Sequence, residues 1–487
     1  MDWKPDRMLS KPIYKQISSY FEEMISKGVY PANEMLPSER TLATQLQVNR
    51  STIKSAYEEL EALGIVERVK GSGTKVSSNI WGISHKRIPN WGRYVEDGSF
   101  LPNIPMVQKI RTITQEPNIV NLASGELSPH LMPTEAIREI ISTQPFSENL
   151  GYDHPQGNEE LREALASFVH KYRCIKTDSE SILITSGAQQ AIHLIVECLL
   201  KPGDAIAIEN PSYSYSLPLF KTAGIRTYLL SVDEQGANPE ELISLHKKHR
   251  IRMVFLNPSY QNPTGTSLST VRRERFLALS SELGIPIIED DPYGITSYSG
   301  KMNPALKSLD KDGNVLYISS LSKVVSSGLR IGWVIGPQAV IQRLADAKQQ
   351  IDFGHSIFPQ WVAKTFLNST YIEEHIKSLR VELSQRRDEL DVSLRNFLAD
   401  KISYHLPEGG IHLWCKLNQR MNENKLIEES IKNGVAFVPG KILGNMEESY
   451  VRFTYGREDL GRISEGIYRF SETIKRLEYE YKQTNRK

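Results

Sequence analysis

The sequence predicts a small helical domain closed by a β-hairpin, followed by a large α/β domain built on a mostly parallel sheet. Two observations predict this. Apolar residues recur at helical spacing through the first 62 positions and give way to two short strands around Gly-Ser-Gly, and from residue 118 onward Ile- and Val-rich runs alternate with helical ones. The length of 487 residues exceeds one ordinary core and leaves room for both.

Composition narrows the class. Hydrophobic residues make up 39% and charged residues 24%, as in ordinary globular proteins, and the formal net charge of +1 means that any contact with nucleic acid must come from a local patch. Cys174, Cys198 and Cys415 form neither a CxxC pair nor a disulfide framework, so no metal site is expected and a reducing cytoplasm fits. The N-terminal "MDWKPDRMLS" lacks the apolar stretch of a signal peptide, and runs such as "IHLIVECLL" are too short to span a bilayer. No internal repeat or low-complexity tract interrupts the chain.

Residues 10–76 read as three helices and a hairpin. Ser10 is the expected cap of a first helix opened by Pro12, with Ile13, Ile17, Phe21, Met24 and Ile25 on one face and Gly28 as the stop. Ser38 is placed to cap a short helix carrying Leu42 and Leu46, and Asn49 and Gly64 bracket a third. "IVERVKGSGTKV" reads as a β-hairpin carrying Lys70 and Lys75. That order makes a winged helix-turn-helix, whose third helix enters the major groove. Arg50, Ser51, Thr52 and Lys54 are donors on the first turns of that helix, and Arg40 and Lys70 are placed to reach phosphates. Residues 77–117 lack a sustained period and read as a connection, but Trp81, Trp91, Tyr94 and Phe100 are costly to leave in water, so part of it should dock on a folded domain.

In residues 118–487 the strand-like runs are "SILITSG", "DAIAIEN", "RMVFLNP", "IPIIEDD", "NVLYISS" and "RIGWVIG", with helices expected in "AQQAIHLIVECLL", "SYSYSLPLFKTAG" and "RRERFLALSSELG". Ligands of such sheets sit beyond the carboxyl ends of the strands. Lys323 falls there, just after "NVLYISS", where a lysine can lose its proton and form a Schiff base with an aldehyde. Pyridoxal phosphate (PLP) is that aldehyde, and each of its needs has a candidate. Asp290 faces the ring nitrogen, Tyr293 and Asn262 the ring oxygen, and Tyr213 the ring face; Gly187, Ala188 and Gln189 at a helix N-terminus, with Ser320, Ser322 and Arg330, meet the phosphate.

Two resemblances extend this reading. Residues 12–76, with "LPSER" and "NRSTIKSAYEELEALG", resemble a GntR-type DNA-binding domain over its full length. From about residue 118 to 475, "YDHPQG", "TSGAQQA", "NPSYSY", "NPTG", "EDDPYG", "SLSK" with "SGLRIGW", "EGGIHLW" and "VRFTYG" resemble the ordered motifs of fold-type I aminotransferases; Ser327 stands where many relatives have Pro. The resemblance implies a large domain with a mixed, mostly parallel sheet and a smaller α+β domain. It also implies that Tyr152 reaches the phosphate of a neighbouring subunit, that Arg452 binds a ligand carboxylate, and that Lys323, Asp290 and Tyr293 are catalytic. The combination resembles the MocR subfamily of bacterial regulators. It implies a cytoplasmic homodimer that binds operator DNA and senses an amino compound through a PLP aldimine at Lys323. The alternatives are a working aminotransferase with a secondary DNA-binding domain, and a regulator that senses PLP itself.

Overall fold

The structure, a computed structural model, describes residues 3–69, 71–78, 95, 98–146, 150–300 and 304–484. The chain divides into two compact units, Met1–Ser99 and Phe100–Lys487. Lys70, Trp81, Trp91 and Tyr94 lie outside the described residues.

The first unit contains α1 (Ile13–Ser26), α2 (Glu39–Leu46), α3 (Arg50–Ala62) and the strands β1 (Val66–Val69) and β2 (Gly73–Val76). The strands pair antiparallel from Val66↔Val76 to Val69↔Gly73. Helical spacing gathers Ile17, Phe21, Leu42, Ile53 and Leu60 into one fully buried cluster. The Tyr57 hydroxyl crosses that cluster to donate to the Pro37 carbonyl at 2.7 Å, anchoring α3 against the segment before α2. Ser38 caps α2 by accepting from the Thr41 N–H at 3.1 Å. Ser10 does not cap α1: the helix begins after Pro12, whose carbonyl takes the N–H groups of Lys15 and Gln16. Asn49 stands at the start of α3 with its carbonyl, not its side chain, accepting from Thr52 and Ile53.

The second unit begins with residues expected as connection. Leu101 N–H donates to Thr222 at 3.4 Å, the Phe100 ring lies 6.1 Å from that of His193, and a helix at Pro105–Ile113 buries Ile110. Short β3 (Val120–Asn121) follows. The main strands are β4 (Ile182–Ser186), β5 (Ala205–Asn210), β6 (Arg226–Asp233), β7 (Gly236–Ala237), β8 (Ile251–Leu256), β9 (Ile287–Asp290), β10 (Val315–Ser320) and β11 (Ile331–Ile335). Among the described residues they form one sheet in the order β4-β11-β10-β9-β8-β5-β6-β7. Strands β6, β5, β8, β9 and β10 pair parallel, with helices such as Glu240–His249 and Thr270–Leu283 as crossovers. β11 runs antiparallel to both β10 and β4. The chain returns from β10 through the brief turns Leu321–Lys323 and Ser327–Leu329, too little for the crossover a parallel return requires. "SYSYSLPLFKTAG" gives a 3-10 turn, Tyr213–Ser216, and a four-residue helix, Leu219–Thr222, because Pro218 holds Leu217 extended and offers no N–H.

A smaller antiparallel sheet is built from β12 (Ile402–Tyr404), β13 (His412–Leu417), β15 (Val438–Pro439) and β16 (Tyr450–Thr454), while β14 (Val435–Ala436) pairs with β3. The 28-residue helix Tyr371–Leu398 runs from the large sheet's core to this one's: its Ile376 and Leu379 pack in the first and its Leu390 and Leu394 in the second.

One buried ion pair holds the carboxyl edge of the large sheet. Arg173 Nε, at the end of the helix Glu159–Arg173, lies 2.6 Å from Asp291 Oδ2, and both side chains are fully buried. Removing one partner leaves an uncompensated charge in the interior, so Asp291→Ala should cost about 3–5 kcal/mol, read as a lowered urea midpoint for the second unit's unfolding. Arg173→Met together with Asp291→Leu should cost far less.

Candidate functional site

At the carboxyl ends of β4, β5, β8, β9 and β10 the second unit encloses a cavity of about 320 Å³. It is lined by Gly187, Ala188, Gln189, Tyr213, Asn262, Asp290, Tyr293, Ser320, Ser322, Lys323, Arg330 and Arg452, which are widely spaced in sequence. Of the residues expected for this site only Tyr152 lies elsewhere. It is 87% exposed, with its ring 5.8 Å from Phe353.

Lys323 enters from the turn after β10, and its Nζ donates to the Gly125 carbonyl at 2.6 Å. Burial pushes the amine down to about 8, with Glu126 opposing and Arg452 assisting the shift. The neutral, nucleophilic form is thereby available near physiological pH. Asp290 ends β9. Burial and the neighbouring Asp291 carboxylate push it up to about 7, and its Oδ1 is a buried acceptor with no donor among the described residues. A protonated ring nitrogen placed there would supply such a partner.

The opposite end of the cavity is built for an anion. Gly187 precedes the 12-residue helix Ala188–Leu199 and has φ 78°; a Cβ there would stand 2.6 Å from Arg330 Nη2. Arg330, itself left-handed at φ 54°, donates to the Ser186 carbonyl at 2.8 Å. Gly332 meets the same backbone: its Cβ would lie 2.5 Å from the Gly187 carbonyl carbon, so β11 passes directly beneath the helix start. Helix N–H groups, Ser320, Ser322 and a guanidinium converge where a phosphate fits.

Arg452, on β16, donates from Nη1 to Asn262 Oδ1 at 2.9 Å and from Nη2 to the Ala123 carbonyl at 2.6 Å, while its buried Nε has no acceptor among the described residues. Burial brings it down to about 10, still charged at neutral pH, and each terminal nitrogen keeps a second N–H for a carboxylate. Tyr213 lies at the mouth, 38% exposed, its N–H bonded to the Asn262 carbonyl at 2.9 Å. Tyr293 points inward and meets His412 Nε2 at 3.0 Å. Asn257, which the sequence puts at the carboxyl end of a strand among the positions to examine, also lines the cavity, whereas His412, Gly125 and Glu126 carry no assigned role in the sequence reading. The signal for His412 is a polar residue inside the apolar strand "IHLW", and the Gly-Glu pair sits in the loop after β3.

In the first unit Arg40, Arg50, Ser51 and Lys54 are exposed and Thr52 is half-buried. Arg50 Nε lies 3.0 Å from Glu39 Oε2, and Lys54 Nζ lies 3.7 Å from Glu58. Such surface pairs contribute about 0–1 kcal/mol, so phosphates can displace the carboxylates. Arg68, on the hairpin, is held by Glu58 and Glu61.

Fold and cavity together define a class: a helix-turn-helix unit joined to an aminotransferase-like unit with a lysine in its cleft. Residues 117–465 match the model for aminotransferase class I and II, and residues 13–76 that for bacterial regulatory proteins of the gntR family. The chain is 38% identical over 98% of its length, and 98% of the relative's, to the uncharacterized HTH-type transcriptional regulator YisV of Bacillus subtilis. It is 31% identical to the HTH-type transcriptional regulator NorG of Staphylococcus aureus, over 91% of this chain and all of that one. The kynurenine aminotransferase of Pyrococcus horikoshii, solved in complex with PMP, superposes with a TM-score of 0.74 at 32% identity, covering 80% of this chain and 98% of the other. The protein belongs to the GntR-type helix-turn-helix regulators that carry an aminotransferase class I and II domain, the MocR type. The cofactor that this domain implies is pyridoxal phosphate, and the unfilled Asp290 oxygen, the anion cradle and the Lys323 amine fit it.

Two outcomes follow from this geometry. Gly187→Ala drives a methyl group into Arg330 and should weaken PLP retention at least about tenfold, or about 1.4 kcal/mol, by equilibrium dialysis. Because the Lys323 amine sits near 8 and reacts when neutral, the rate at which cofactor-free protein captures PLP should rise with pH through about 8 and level off above it. Stopped-flow absorbance from pH 6.5 to 9.5 measures this, with Lys323→Ala showing no capture.

Proposed function

We propose that this protein is a PLP-dependent transcription regulator, cytoplasmic and homodimeric, that binds operator DNA through its first unit and an amino compound at Lys323. One observation carries the proposal: on a chain that aligns end to end with helix-turn-helix regulators, Lys323, Asp290 and Arg452 still converge on one cavity.

The cofactor, when bound, supplies an electron sink for an amine joined to it. The chain's residues do the rest. Lys323 offers a neutral amine and, once a ligand amine replaces it, is the base that can move the proton at the ligand's α-carbon. Asp290 holds the proton on the ring nitrogen, and Tyr213 covers the ring face. Gly187, Ala188 and Gln189 present N–H groups to the phosphate beside Ser320, Ser322 and Arg330, with Tyr152 reaching in from the second subunit. Arg452 takes the ligand carboxylate, so the ligand class is amino acids and related carboxylated amines. To act as a switch the ligand must bind one arrangement of the dimer better than the other, by about 5.5 kcal/mol for a change from 1:99 to 99:1. Two reading heads call for paired half-sites in the operator.

The completeness of the cavity favours a second reading, transamination as an activity in its own right. The test uses fluorescence anisotropy on operator fragments selected from a random DNA pool, with and without PLP and a panel of amino acids, alongside the visible spectrum. A change in DNA affinity on adding one amine to the PLP-loaded protein supports the sensor. A response to PLP alone makes the cofactor the effector, and steady conversion of amine and keto acid with unchanged DNA binding supports the enzyme. No DNA binding under any condition overturns the regulator. Arg40→Ala should weaken binding to all sequences and lower the salt slope by about 1, whereas Arg50→Ala should cost about 1–3 kcal/mol on the selected operator and less on other DNA.

A further inference from the structure

Two buried hydrogen-bonded groups lead away from the cavity side by side: Arg452 with Asn262, and Tyr293 with His412 and Thr454. Resting on the cofactor reading above, we propose that His412 is a positioning residue for Tyr293, and that its ring exchanges one neutral tautomer for the other when an acceptor arrives at the cofactor's ring-oxygen position.

The direction of these bonds follows from Arg452. A guanidinium can only donate, so Arg452 Nη1 must give its proton to Asn262 Oδ1, which fixes that amide with its nitrogen turned the other way. That turns the Asn262 amide nitrogen toward the Tyr293 oxygen, and the Asn262 side chain opposes the upward push of burial on the phenol. Tyr293 has one proton left, and His412 Nε2 lies 3.0 Å from its oxygen to accept it. The other ring nitrogen, Nδ1, therefore carries the hydrogen and donates to Thr454 Oγ1 at 3.0 Å. His412 and Thr454 are direct cross-strand partners of β13 and β16, so the sheet itself holds this pair in register. His412 is 1% exposed and Thr454 fully buried.

The imidazole is flanked by charge. Arg452 on β16 and Lys323 after β10 both face it, Tyr293 after β9 touches it, and burial with those two cations keeps it neutral. A neutral ring answers a change in its surroundings by moving its hydrogen, not by gaining charge. The ring oxygen of bound PLP is anionic and outcompetes a neutral imidazole for the single phenol proton. When Tyr293 turns its hydroxyl to that oxygen, Nε2 would be left a buried acceptor facing a lone pair. The arrangement is restored if Nδ1 releases its proton to water and Nε2 takes one: Thr454 then donates to Nδ1, Nε2 donates to the Tyr293 oxygen, and the net proton count is unchanged. Gly125 borders the ring: a Cβ there would meet His412 Cε1 at an ordinary contact distance of 3.5 Å.

With Nε2 donating, Tyr293 becomes a stronger donor to the ring oxygen and holds it as the anion to lower pH. Two measurements on the full-length protein test this. Nitrogen-15 spectra of histidine-labelled protein, with His412→Gln assigning the signal, should show hydrogen on Nδ1 without cofactor and on Nε2 after PLP is added; the same pattern in both states overturns the proposal. In the loaded protein the pH midpoint of the visible cofactor band should rise by about one unit in His412→Phe. It should rise much less in His412→Gln, whose amide can still donate to the phenol. Thr454→Val should shift it in the same direction as His412→Phe, and carries the test should the Phe variant fail to fold. A band that titrates as in the wild type in both Thr454→Val and His412→Phe overturns the role of His412 and leaves the cofactor reading standing. Absence of any band in the wild type overturns both.

Discussion

The geometry of the cleft depends on the buried pair Arg173–Asp291. Two charges removed from water are costly unless each remaining donor and acceptor is met, and here they are met by groups from four parts of the fold. Arg173 also donates to the Gly294 carbonyl and Ser259 Oγ, each at 3.2 Å. Asp291 accepts from the Tyr317 hydroxyl and the Gly294 N–H at 3.0 Å, while its carbonyl takes the Ser319 hydroxyl at 2.7 Å. The segment from Asp290 to Tyr293 is thereby clamped on both sides, which is why Asp290 and Tyr293 face the cavity while Asp291, between them, faces inward. Gly294 is required at the end of the clamp, since a Cβ would sit 2.3 Å from Arg173 Cζ.

On that frame the cavity sets three ionisable groups against one another. Burial moves Asp290 up to about 7, Lys323 down to about 8 and Arg452 down to about 10. Each shift runs toward the neutral form, as expected where water is excluded and no counter-ion is close enough to compensate fully. The site therefore stores unsatisfied electrostatic demand that a ligand carrying a ring cation, a phosphate and a carboxylate can meet. A structural ion pair such as Arg173–Asp291 has already met its own demand, and the contrast separates the two kinds of buried charge in this protein.

Much of this was legible in the sequence because the signals were local. Ser38 as a cap, the Gly-bounded hairpin, the strands ending in Ser186, Asp290 and Ser320, and the lysine after "YIS" each depend on a few neighbouring residues. What escaped depended on partners far along the chain. Arg173 ends the helix Glu159–Arg173 with no local signal of a partner, and only the fold brings it to Asp291, 118 positions on. His412 reads as an interruption in a strand until Tyr293 and Thr454 surround it. The direction of β11 follows from the shortness of the turn before it, and the helix at Pro105–Ile113 gains its reason from the core it covers.

The approach of Gly332 to Gly187 divides the cleft into two kinds of wall. Lys323, Arg330 and the anion cradle are placed by strand register and by glycines, so their positions are written in backbone, and a Cβ at Gly187 or Gly332 has no room. Glu126, on the loop after β3, and Ser214, in the turn Tyr213–Ser216, also line the cavity but lie outside the strands whose register fixes the rest. Such a cleft can drift. The choice of small molecule can be rewritten at exchangeable positions without disturbing the walls that backbone fixes, and one architecture can be turned to many signals without being rebuilt.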